Sequence, residues 1–105
     1  MYVLRRTVGT GITMKASDML ITLRLTDLDF LAGCAVVKVE RKTEVEEESC
    51  IRDMGAGEIW RLHPDIQITL LRISYATHEG TPARIAEFGI TAPRSIPIMR
   101  AELDN

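Results

Sequence analysis

Hydrophobic and polar residues alternate along most of this chain and almost nowhere recur at the three-and-four spacing of a helix. The segment MYVLRRTV (1–8) reads as a strand that stops at the Gly9-Thr10-Gly11 turn, and ITMKA (12–16) as a second strand. DMLITLRLTD (18–27) alternates cleanly and predicts a third, whereas LDFLAG (28–33) predicts a loop or a helical turn. CAVVKVERKT (34–43) is rich in β-branched residues and predicts a strand. TEVEEESCIRDM (43–54) fits either a strand or an exposed connection. After Gly55-Ala56-Gly57 come EIWRLH (58–63), DIQITLLRISY (65–75), ARIAEFGI (83–90) and RSIPIMR (94–100) as strands, with ATHEGTP (76–82) as a turn. On the order of ten short strands with frequent turn signals predict an all-β fold, a small sandwich or barrel. RAELDN (100–105) is long enough for one helical turn only.

Composition narrows this to one small globular domain. The chain has 105 residues, 46% hydrophobic and 27% charged, a folded rather than a disordered mix. With two Phe, two Tyr and one Trp, the core has to be aliphatic, and Trp60 is expected within it. Cys34 and Cys50 show no metal-ligand spacing and are expected as free, buried thiols of a reducing cytoplasm. No secretory leader pattern and no apolar run of about 20 residues is present, so no spanning helix is expected. His63 and His78 sit in turn-like sequence without a ligand cluster, and Asp18 and Asp65 are expected to accept from turn amides. There is no nucleophile–base spacing, phosphate-binding loop or paired-carboxylate signature, so neither enzyme, cofactor nor metal is expected.

Charge changes the picture more. Net charge is −2, yet residues 1–17 carry Arg5, Arg6 and Lys15 without a carboxylate, and residues 89–100 carry Arg94 and Arg100 without one. The acidic run EVEEE lies between them at 44–48. Two basic ends can meet a phosphate backbone that the middle repels. The chain also repeats itself: RTVGTG (6–11) resembles RDMGAG (52–57), and DMLITL (18–23) resembles DIQITL (65–70), in the same order and at nearly the same displacement. A duplicated unit of about half the chain is expected, with copies at about 1–48 and 49–105.

MYVLRRTVG (1–9) and GITAPRSIPIMRAEL (89–103) resemble the two end motifs of the carbon storage regulator family, also called repressors of secondary metabolites. That family begins M-L-I-L-T-R-R-V-G-E and ends near G-V-N-A-P-K-E-V-x-V-x-R-E-E-I, and GEIWRL (57–62) is similar to its G-E-T-L-M-I. The chain is longer than the usual member, which fits duplication. Thr7 replaces an arginine of the family pattern, and Pro97, lacking an amide proton, requires an edge strand or an unpaired position.

The family is a homodimer whose protomers exchange first and last strands, so the resemblance implies a single-chain version of that dimer: two small antiparallel sheets from two interlocked repeats, with only a stub of C-terminal helix. It implies one intact RNA site at Leu4, Arg5, Arg6, Gly89, Thr91, Ala92, Pro93, Ile96, Ile98 and Arg100. Tyr2, Leu4 and Arg6 would share one face of the first strand, and Ile96, Ile98 and Arg100 one face of the last. The turn Gly89–Pro93 would read bases through its backbone. A second site, SCIRDM against TEVEEES, would be lost to the carboxylates Glu46, Glu47 and Glu48. The implied function is translational regulation through GGA-containing hairpin loops of an mRNA leader or small RNA. The alternative is a protein-interaction module, or an antagonist of the same fold, that binds a regulatory protein instead. A fused pair implies a monomer, and an insertion within one copy implies a homodimer.

Overall fold

The computed structural model describes residues 1–78 and 80–100. Nine strands occupy them: β1 (Tyr2–Thr7), β2 (Gly11–Lys15), β3 (Leu20–Asp29), β4 (Cys34–Lys42), β5 (Glu47–Gly55), β6 (Ile59–His63), β7 (Ile66–His78), β8 (Thr81–Thr91) and β9 (Ile98–Arg100). All pairings are antiparallel. One sheet has the order β1-β8-β7-β6, the other β5-β4-β3-β2-β9, and both stay open. The chain is therefore a two-sheet all-β protein and not a closed barrel.

The halves of the chain interlock. Each sheet contains a meander from one half, β2-β3-β4 or β6-β7-β8, extended by the first strand of the other half. Thus β1 adds to β8, β5 adds to β4, and the last strand, β9, crosses back to β2. The geometry repeats in detail. Gly9 (φ +94°) donates to the Leu25 carbonyl at 2.8 Å, and Gly57 (φ +86°) donates to the Leu70 carbonyl at 2.7 Å. Both turns need a positive φ, which only glycine adopts without steric cost. A register shift follows Leu25 in β3 and Leu70 in β7. The counterpart of Gly9 is therefore Gly57, not the Gly55 that the sequence match selects, and Leu70 answers Leu25 rather than Leu23. The displacement is an even number of residues, so the match in sequence still preserves which side chains face inward.

Between the sheets lies an aliphatic core. Alternate residues point into it: Ile21, Leu23 and Leu25 from β3, Ala35, Val37 and Val39 from β4, and Ile66, Ile68 and Leu70 from β7. Phe88 is the one fully buried aromatic, and Trp60 packs against the core only partly buried. Burying each Leu- or Ile-sized side chain contributes roughly 1.5–3 kcal/mol, which sets the register of every strand.

Several expectations are corrected. ATHEGTP is not a long turn: β7 runs to His78 and β8 starts at Thr81, with Gly80 (φ +78°) between them. LDFLAG starts as strand, since β3 continues to Asp29. RSIPIMR is a strand only from Ile98. Cys34, at the start of β4, is half-buried, and Cys50 lies in the exposed stretch of β5. Asp18 accepts from the His63 ring, not from a turn amide. The C-terminal helix stub falls at 101–105, outside the described residues. Among the described residues, no helix is long and apolar enough to cross a membrane.

Candidate nucleic-acid interface

β1 presents two different faces. Arg5 points outward, and its Nε lies 3.2 Å from Glu87, which also accepts from Arg72 Nε at 3.3 Å. Two guanidinium groups thus share one carboxylate that is 18% exposed, leaving the trio with one net positive charge on the outer sheet face. Leu4 and Arg6 point inward, as alternation from Tyr2 requires. Arg6 is 9% exposed; its Nε donates to the Arg5 carbonyl at 2.7 Å and its Nη1 to the Gly11 carbonyl at 3.3 Å. A buried guanidinium needs such acceptors, because an unpaired charge in the interior is costly. Arg6 ties β1 to the start of β2.

The start of β1 and the segment entering β9 converge on one groove. Its volume is about 540 Å³, and its walls are Met1 and Tyr2, the end of β8 at Ile90, and the connection Ala92, Pro93, Arg94, Ile96, Pro97 and Ile98. The Ile96 amide donates to the Pro93 carbonyl at 3.1 Å, which folds the connection into a turn. The Lys15 amide then donates to the Pro97 carbonyl at 3.3 Å. Pro97 has no N–H to return, so regular pairing begins only at Ile98. β9 is an edge strand, the placement a proline there requires. Ile96, Ile98 and Ala92 pack against the core and give the groove an apolar base.

Gly89 is not part of the turn. It lies buried within β8, paired with Val3 and Thr69, and Thr91 ends the same strand. A Cβ at Gly89 would collide with the Met1 Sδ. The missing side chain lets Met1 lie across β8 and form the groove wall, so Gly89 acts one layer below the surface.

Of the residues expected from sequence, Ala92, Pro93, Ile96 and Ile98 line the groove together. Leu4 packs on the core beside it, and Arg5, Arg6, Gly89 and Thr91 stand outside its lining. Arg100 lies at the far end of β9, opposite Ile12, one residue beyond the carbonyl that Arg6 holds. Arg94 and Arg100 are exposed and, among the described residues, form no ion pair, unlike Arg5. Met1 and Ile90 are groove residues that sequence reasoning missed. The available signal was Gly89, a glycine where a strand interior disfavours one.

The opposite half builds no such groove. After β4 the chain turns at 43–46, closed by the Thr43 amide on the Glu46 carbonyl at 2.8 Å, and enters β5 directly. Glu47 and Glu48 belong to β5, so TEVEEES supplies no separate strand against SCIRDM. Among the described residues, no strand stands beside β6 as β9 stands beside β2. Cations here are neutralised locally: Arg41 pairs with Glu48 at 2.8 Å, and Arg52 pairs with Glu58 at 3.4 Å while lying 5.2 Å over the Trp60 ring. Among the described residues no cluster of His, Cys, Asp and Glu could hold a metal ion. In comparisons with protein families, curated proteins and solved structures, nothing matches this chain.

Proposed function

We propose that this protein is a single-chain, one-site RNA-binding regulator that captures an unpaired loop in the groove between the start of β1 and the β8–β9 connection. The observation carrying this reading is the convergence there of an apolar base with the exposed cation Arg94, with Arg100 further along β9; among the described residues neither guanidinium has an ion-pair partner. Unstacked bases rest on apolar surface, while guanidinium groups hold phosphates or base edges. Backbone groups of the 92–97 turn are available to read the bases.

The interlocked halves support descent from a duplicated unit of the carbon storage regulator type. Each half completes the other's sheet with its first strand, and the last strand crosses over, as a fused strand-exchanged pair requires. The functional consequence of a bound GGA-containing leader is control of translation initiation in the cytoplasm. A second reading, docking of a regulatory protein, is favoured by one observation: seven consecutive residues of β5, Glu47 to Asp53, are exposed.

The groove reading is tested by titrating Arg94→Ala and Arg100→Ala proteins with a GGA-loop hairpin across a salt series. Arg100→Ala is expected to weaken binding by about 1–3 kcal/mol if it grips a guanine bidentately. Arg94→Ala is expected to weaken all RNAs similarly and flatten the salt dependence by about one counterion. Wild-type affinity in both variants would place RNA elsewhere on the molecule.

A further inference from the structure

Behind the β8–β9 connection lies a second cavity, of about 360 Å³. Its walls are the β2–β3 turn (Lys15, Ala16, Ser17), the β6–β7 turn (His63, Asp65) and Pro93, Ser95 and Ile96 of the connection. Pro93 and Ile96 line both this cavity and the groove, so the connection is a thin partition between them.

One wall is fixed. The Asp65 amide donates to His63 Nδ1 at 3.1 Å, which makes Nδ1 the acceptor and leaves the ring proton on Nε2. Nε2 faces the Asp18 carboxylate at 3.2 Å. The ring is thereby fixed between these two partners, and its side chain is only 12% exposed. Two other walls are chemically unspent. Among the described residues, the Asp65 carboxylate and the Lys15 ammonium, both on exposed residues, have no hydrogen-bond or ion-pair partner. The cavity is therefore bordered by a residue whose side chain only accepts and one whose side chain only donates, beside the apolar Ala16, Pro93 and Ile96.

We infer that this cavity takes a guanine base, with Asp65 accepting from its Watson–Crick edge and Lys15 donating to its O6 or N7. Guanine places two adjacent donors, N1–H and the N2 amino group, beside an acceptor pair, O6 and N7. A carboxylate and an ammonium complement that arrangement. Adenine would turn its N1 lone pair toward Asp65, and uracil offers a single N–H between two carbonyls. The partly apolar base suits a flat ring, and the volume suits one unstacked base rather than a base pair. The base comes either from an RNA strand crossing the partition or from a free guanine nucleotide. The first source rests on the RNA reading above; the second does not.

The experiment uses the full chain and two probes. A GGA-loop hairpin is titrated with each loop guanine replaced singly by inosine, which lacks the N2 amino group. GMP and AMP are titrated separately while the His63 ring resonances are followed. Wild-type protein is expected to lose roughly tenfold in affinity at one inosine position, a loss within the range of a good polar base contact. Asp65→Asn, with an unchanged melting midpoint, is expected to bind the parent hairpin about tenfold more weakly and to ignore that inosine. GMP, not AMP, is expected to move the His63 resonances, and Asp65→Asn to abolish the movement. If the hairpin binds but Asp65→Asn keeps every affinity and every inosine penalty, the guanine pocket is overturned and the RNA reading stands. A GMP response without hairpin binding keeps the pocket, assigns it to a free nucleotide and removes the RNA reading. Silence in both arms removes both.

Discussion

Arg6 illustrates why charge alone misleads at the scale of single residues. Its position in a carboxylate-free stretch reads as ligand-facing, yet alternation along β1 turns it inward onto two backbone carbonyls. Arg6→Ala is expected to lower stability by about 1–3 kcal/mol, because those buried acceptors lose a charged donor; chemical denaturation measures this. Two glycines separate packing from shape. A Cβ at Gly11 would strike the Leu23 backbone carbonyl, which cannot move without breaking the β2–β3 ladder. A Cβ at Gly89 meets only the flexible Met1 side chain. Gly11→Ala is therefore expected to cost about 1–3 kcal/mol as an overpacked site. Gly89→Ala is expected to cost under about 1 kcal/mol while displacing Met1 and weakening RNA capture. Paired melting curves and hairpin titrations distinguish the two, and equal stability losses would contradict this account of Gly89. From sequence, Ile96 and Ile98 were legible as neighbouring apolar site residues, although only Ile98 lies in the strand and Ile96 belongs to the turn before it. The roles of Arg6 and Gly89 were not, because they depend on which strand lies across from them.

Among the elements, strands with clean alternation were legible and their ends were not. β3, β4 and β7 sit where the pattern placed them, because each has one buried face. Turn-rich ATHEGTP misled because a hairpin needs only a tight turn, here with Gly80, so Thr77 and Pro82 remain in paired strands. β9 starts late because Pro97 can accept but not donate. β5 was ambiguous for a physical reason: among the described residues no strand lies alongside β6, the middle of β5 is exposed, and polar residues are tolerated there. Its register makes a specific prediction. The Thr43–Glu46 bond continues into pairs Arg41–Glu48, Val39–Cys50 and Val37–Arg52, so even-numbered β5 amides bond to β4 and odd-numbered ones face the open edge. Hydrogen exchange is expected to find Cys50 and Arg52 amides protected and Ser49 and Ile51 amides fast. Equal protection would mean that β5 has a partner strand in solution. In the same comparison, Ile51→Lys is expected to change stability by at most about 0.5 kcal/mol, and Leu23→Ala to cost about 2–5 kcal/mol.

Across the whole molecule, the interlocked halves bring the start of the chain and the connection to its last strand to one groove. Arg94 enters through the connection to the last strand and Arg100 through that strand, β1 arrives from the other end of the chain, and the acidic turn at 43–46 leads into β5. Strand content was legible in the sequence and strand partnership was not, since alternation says which face is buried and not which edge is shared. Because each half already completes the other, the protein is expected to sediment as an 11.8 kDa monomer with a concentration-independent melting midpoint. The central claim is one loop-reading RNA site per chain. Its most direct measurement is a fluorescence-anisotropy titration with a hairpin carrying GGA in its loop, beside a loop-scrambled hairpin, at fixed moderate salt. The account predicts saturation at one RNA per chain and clear preference for the GGA loop; equal binding of both hairpins, or of neither, would contradict it.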